Sequence, residues 1–150
     1  MFDFIKIREV PKTSWSSEET FNLKPRLNTL MALIVGLILF GLGEALLVTS
    51  QIGVSPWTAL GQGLANVSEL GLGLTTFLIS VFVLFLWIPL KQKPGVGTVL
   101  NAIIISLVLH YAIPFLPVYE ENFLRLIQAI LGVFITGIGG GIYLIANLGP

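Results

Sequence analysis

The sequence predicts an all-α fold: a polytopic transmembrane helical bundle of about four spanning helices plus one short re-entrant or interfacial helix, with a partial inverted repeat. Three observations carry that reading. Only 11% of the 150 residues are charged against 55% hydrophobic, with a mean hydropathy of +0.92, whereas a soluble domain carries about 25% charged residues. The charges are also segregated, so that long apolar runs carry none. Finally, glycines recur in one register: an offset of 96 residues, from Gly41 to Gly137, also pairs Gly36 with Gly132, Gly43 with Gly139 and Gly53 with Gly149.

Residues 1–26 hold Lys6, Arg8, Lys12, Lys24 and Arg26 beside Asp3, Glu9, Glu18 and Glu19, and read as a tail outside the bilayer. Phe2, Phe4, Ile5, Ile7 and Trp15 give part of it a side able to lie on the membrane surface. The first apolar run, about 27–49, is too long for the core of a secretory signal and reads as an uncleaved span. At 1.5 Å per residue it reaches roughly 34 Å, enough for a hydrocarbon core of about 30 Å. Gly36, Gly41, Gly43 and Ala45 thin one side, which lets a neighbouring helix approach closely.

The stretch Gly41–Trp57, GLGEALLVTSQIGVSPW, then ends this span. Gly53 is expected to break the helix, with Ser55 as a cap and Pro56 in the first turn of the next helix, where its missing N–H costs nothing. Trp57, Leu60 and Leu64 share a face of that helix, about 56–66. It is too short to cross, so it is either interfacial or a half-helix dipping into the bundle. Backbone that breaks at membrane depth must be buried in protein or line water. Further spans cover about 72–90, 96–115 and 123–146, separated by Pro89 with Lys91 and Lys93, by Pro94–Gly95, and by Pro117 with the polar Glu120–Asn122.

Basic residues cluster in the tail and at Lys91/Lys93, while the loop after span one has none. The positive-inside rule then predicts a cytoplasmic N-terminus in a bacterial inner membrane. Three crossings separate the starts of spans one and four, so the second copy of the glycine register enters from the opposite face, as in inverted-topology repeats of transporters. That copy, GIGGGIYLIANLGP, stops where the first continues into Ser55–Trp57. The expectation is one unit and the first span of another, in a shortened product.

Segments GLGEALLVTSQIGVSPW, GQGLANVSELGLGLTTFLISV, WIPLKQKPGVGTVLNA and GIGGGIYLIANLGP resemble the YczE-type bacterial membrane proteins, grouped with YitT- and YyaS-like proteins. The likeness covers about 27–150, and the GVSPW turn and KQKPGVGTVLN loop are its specific parts. It implies a multi-pass protein with further helices after the closing Gly-Pro. The family pattern places an acid just after the Trp, where this chain has Thr58, and a charged residue near Ser50–Gln51. The likeness brings no settled activity with it.

The candidate substrate- or ion-binding residues are Glu44, Gly53, Ser55, Asn101 and His110. Glu44 is the only acid inside any span. A carboxylate there is costly unless paired, hydrated or protonated. It reads either as a proton or cation site facing a cavity, or as an acid bonded to a neighbouring helix or wetted near the surface. His110, the only histidine, shares a face with Ser106. A Glu44–His110 relay and a merely hydrogen-bonded histidine are both open. Asn101 is expected to bond between helices. The Gly53–Val54–Ser55 turn offers free N–H groups and a positive helix end, suited to an anionic group, or is an interfacial turn anchored by Trp57. The glycines at 137–141 contain a GxxxG step and read as close helix packing.

No metal site and no cofactor are expected: there is no cysteine, a single histidine and one aspartate, Asp3. No hydrolase set or HExxH is present, so no enzymatic activity is expected. A net charge of zero and the lack of a basic patch give nucleic acid no support. The expected partners are the lipid bilayer and, through the glycine faces, a second copy or another membrane protein. The function expected is transporter-like, for a small solute or ion; the alternative is a non-transporting accessory or interaction protein.

Overall fold

The computed structural model describes residues 13–149. The expectation that Phe2, Phe4, Ile5 and Ile7 lie on the membrane concerns residues outside that range, as do Lys6, Arg8 and Lys12. Among the described residues the fold is all-helical. The helices are α1 (Leu27–Ser50), α2 (Pro56–Ser68), α3 (Leu72–Trp87), α4 (Val96–Ala112) and α5 (Asn122–Ile145), with one 3-10 turn at Ile113–Phe115 after α4. Helices α1, α4 with its 3-10 turn, and α5 are each long and apolar enough to cross a membrane, while α2 and α3 meet at a 112° bend. That makes three spans, or four if the bent pair counts as one.

The distribution of side chains is the reverse of a water-soluble core. Phe82, Phe115, Phe123 and Phe134 are exposed, whereas Glu44, Thr58, Thr75, Thr76, Ser106 and Gln128 are buried. In water such an arrangement would waste apolar burial. In lipid it is favourable, because polar groups find partners only inside the bundle.

Helices α1 and α5 pack antiparallel through four glycines. A Cβ at Gly36 would lie 3.0 Å from Gly139 O and 2.7 Å from Tyr143 N; one at Gly132 would lie 3.0 Å from Gly43 O and 2.9 Å from Leu47 Cγ. A Cβ at Gly43 would run into Thr136, and one at Gly139 into Phe40. These contacts are reciprocal under the 96-residue offset: Gly36 faces Gly139 as Gly132 faces Gly43, Gly43 faces Thr136 as Gly139 faces Phe40, and Gly36 faces Tyr143 as Gly132 faces Leu47. Such i-to-j, j-to-i contacts are what a two-fold axis between two equivalent helices produces.

The remaining helices build outward from this pair. Gly41 of α1 lets Val108 of α4 approach, and Gly73 of α3 lies against Ser106 O and His110 Cβ of α4. Thr75 Oγ1 of α3 donates to Gly61 O of α2 at 3.1 Å. Leu33, Leu37, Ile105 and Leu109 form the centre of the core.

Hydrogen bonds at the two ends fix which segments share a side. At one end, Ser17 N donates to Ala146 O at 3.0 Å, Asn147 Nδ2 to Ser17 O at 3.0 Å, and Gly97 N to Leu148 O at 2.6 Å. The segment before α1, the start of α4 and the end of α5 therefore lie together. At the other end, Arg125 in the first turn of α5 donates to Ser50 O at 2.8 Å and Gln51 O at 2.6 Å, closing the end of α1. The two ends are those the basic residues separate in the sequence.

Two boundaries differ from expectation. The break after α1 falls at Gln51, left-handed with φ 56°, and no described glycine has a positive φ, so Gly53 does not make the turn. The cause is tertiary: Arg125 takes the carbonyls of Ser50 and Gln51, which ends the helix there. Helix α3 ends at Trp87, and the chain turns before Lys91, which has φ 55°.

Candidate functional site

The site begins with the return of the chain after α1. Ser55 caps α2, its Oγ accepting from Thr58 N at 3.3 Å, and Pro56 occupies the first turn. The cap does not sit level with the end of α1. Ser55 Oγ donates to Glu44 Oε2 at 2.8 Å, and Thr58 Oγ1 donates to the same oxygen at 2.5 Å. Glu44 precedes Ser50 by six residues, roughly 9 Å of helix. The start of α2 is therefore drawn back alongside the last turns of α1.

Glu44 is only 3% exposed and Thr58 2%. The carboxylate meets the positive end of α2 and two hydroxyl donors, which is the favourable geometry for a negative group at a helix start. Both donors use Oε2; no described side chain donates to Oε1. Among the described residues no basic side chain stands in the wall of the adjoining cavity, which holds about 160 Å³. That cavity is lined by Glu44, Ser55 and Thr58 on one side, Thr76 and Ser80 of α3 and Asn101 and Ser106 of α4 on another, with Phe40 and Trp57 as aromatic walls. A second cavity of about 240 Å³ reaches Gly97, Trp87 and Leu148, toward the end that holds the segment before α1. Trp57, Ser80 and Asn101 line both and form the partition between them.

Of the five residues expected at a site, the structure brings three together: Glu44, Ser55 and Asn101. Among the described residues Asn101 does not make the expected bond between helices; it lines both cavities. Gly53 is exposed, and a Cβ there would meet nothing within 4 Å, so its N–H is not part of the cavity wall. His110 is exposed as well, packed edge-on against Tyr111 at 5.0 Å, and does not line the Glu44 cavity. The structure shows no Glu44–His110 relay.

Several polar residues escaped the sequence reading. Thr58 is one, and its spacing three residues after a Ser-Pro cap was the available signal. Gln128 of α5 is another: buried, its Nε2 donates to Thr49 Oγ1 at 2.7 Å and to Pro117 O at 3.0 Å, beside the Arg125 clamp. No group of three or more His, Cys, Asp or Glu able to hold a metal occurs among the described residues.

Comparisons with known proteins agree with this architecture. Residues 27–150 match a family described as "Family of unknown function (DUF6198)". An "Uncharacterized protein" of Haemophilus influenzae is 36% identical over 144 residues, covering 96% of this chain and 65% of the relative. The "Uncharacterized membrane protein YczE" of Bacillus subtilis is 28% identical over 116 residues, covering 76% of this chain and 54% of the relative. The chain thus spans between half and two thirds of the length of these curated relatives. No solved structure matches. Apolar helices, buried polar groups and these relatives together make this a multi-pass membrane protein of the YczE type, and the chain belongs to the DUF6198 family.

Proposed function

We propose that the Glu44 cavity is the binding site of a transporter-like membrane protein that handles a small solute or ion. The observation that carries this is the buried carboxylate at the start of a broken helix pair, open to a cavity and, among the described residues, without a basic partner in its wall. Ionisable groups inside a bundle are costly and mark pathways more often than they serve packing. Helix starts that meet a polar site inside the bundle are a recurring feature of transporters built from inverted repeats. The reciprocal α1–α5 contacts support such a repeat, and the basic residues at 24, 26, 91 and 93 on one end support a cytoplasmic N-terminus.

Proteoliposomes carrying a version as long as the curated relatives, screened with small cations and neutral solutes, are expected to show uptake or an electrogenic signal that Glu44→Gln abolishes, and the 150-residue chain by itself none. Uptake at an unchanged rate in Glu44→Gln would place binding elsewhere. The accessory-protein reading is favoured by one observation. Gly137 and Gly141, a GxxxG pair on an exposed face of α5, have nothing within 4 Å of a Cβ, which suits docking against another membrane helix.

A further inference from the structure

The ligand chemistry of the Glu44 cavity follows from where its protons already go; this step rests on the binding site proposed above. We infer that the cavity takes a small organic ammonium ion, a cation that brings its own N–H donors.

Charge comes first. A carboxylate that is 3% exposed receives two hydroxyl donors, both at Oε2, and among the described residues the cavity wall holds no Lys, Arg or His. The remaining oxygen, Oε1, calls for a positive donor. Two serines of the wall offer acceptors only, while Asn101 and Thr76 can both accept and donate. Ser80 Oγ spends its proton on Thr76 O at 2.9 Å, and Ser106 Oγ spends its own on Ala102 O at 2.7 Å. Each hydroxyl is left with lone pairs and no proton to give. Thr76 Oγ1 is buried without a partner, in a residue 2% exposed that lines the same cavity. A buried polar atom of this kind is normally satisfied by something.

Shape and apolar character narrow the choice. A volume of about 160 Å³ lies below the ~300 Å³ where drug-sized sites begin. It equals roughly five water volumes of ~30 Å³ each, more than a bare metal ion fills. Phe40 and Trp57 line it with aromatic rings, the side-chain type whose faces attract ammonium groups. No cluster of His, Cys, Asp or Glu exists among the described residues to strip and hold a divalent metal.

The test uses modification of Glu44 by N,N′-dicyclohexylcarbodiimide in the purified detergent-solubilised protein, read by mass spectrometry. Methylammonium is expected to protect Glu44 at concentrations at least about tenfold below those of Na⁺, and below those of tetramethylammonium, which has no N–H. Thr76→Val should raise the half-protecting methylammonium concentration about tenfold, the loss expected for one charge-assisted hydrogen bond. Thr76→Ser should restore it, which guards against a folding defect. Equal protection by Na⁺ and methylammonium, equal protection by tetramethylammonium, or no protection by any of the three would overturn the ammonium inference and leave the Glu44 cavity standing as a site. Failure of the reagent to modify Glu44 in the folded protein, with modification after denaturation, would overturn both.

Discussion

At the end of α1 the chain leaves the helix through Gln51 at φ 56°, with Ser50 fully buried; at the end of α5 it leaves through Asn147 at φ 54°, with Ala146 fully buried. The two positions stand 96 residues apart, the same offset that pairs the packing glycines. The backbone conformation and the glycine contacts thus match at this offset, but the chemistry does not. Glu44 has Gly140 as its counterpart. The end of α1 is closed by Arg125, and the end of α5 by the backbone of Ser17. Gly41 seats α4, while its counterpart Gly137 seats nothing among the described residues. The glycine contacts tolerate no added atom, which fixes how α1 and α5 meet, whereas the polar site is built on one side only.

Breaking the packing should give the largest effect. Gly43→Leu and Gly139→Leu each drive a side chain into the partner helix, at Thr136 and Phe40. Each is expected to cost about 3 kcal/mol or more, the upper range of overpacking, measured by unfolding in mixed micelles. Because the contacts are reciprocal, the two losses should be similar, and a large effect in one alone would break the equivalence. The asymmetric clamp comes next. Arg125→Ala frees two carbonyls at the end of α1 and should cost about 1–2 kcal/mol, with faster amide exchange at residues 51–55 and none at 147–149. The smallest effect is a gain: Gly141→Ala, where a Cβ meets nothing within 4 Å, should stabilise the helix by about 0.5–1 kcal/mol.

What the sequence made legible follows the same division. Residues that act locally were readable: Glu44 as a lone acid in an apolar run, Ser55–Pro56 as a cap and first turn, and the glycines through their spacing. Residues whose role depends on a distant partner were not. Gln51 ends α1 because Arg125, 74 positions away, takes its carbonyl. Gln128 reads as a stray amide until α5 lies against Thr49, 79 positions away. His110 misled because a histidine at helical spacing from Ser106 says nothing of which helix face meets α1; the small residue Gly73 draws that region toward α3, and the ring turns outward beside Tyr111.

The central claim is that α1 and α5 are two copies of one helix crossing in opposite directions. The chain has no cysteine, so single-cysteine variants at Lys24, Lys93 and Asn122 can be labelled without background by a membrane-impermeant maleimide in sealed vesicles of known orientation. Positions 24 and 93 should label from one side and position 122 from the other. Labelling of 24 and 122 from the same side would contradict the claim.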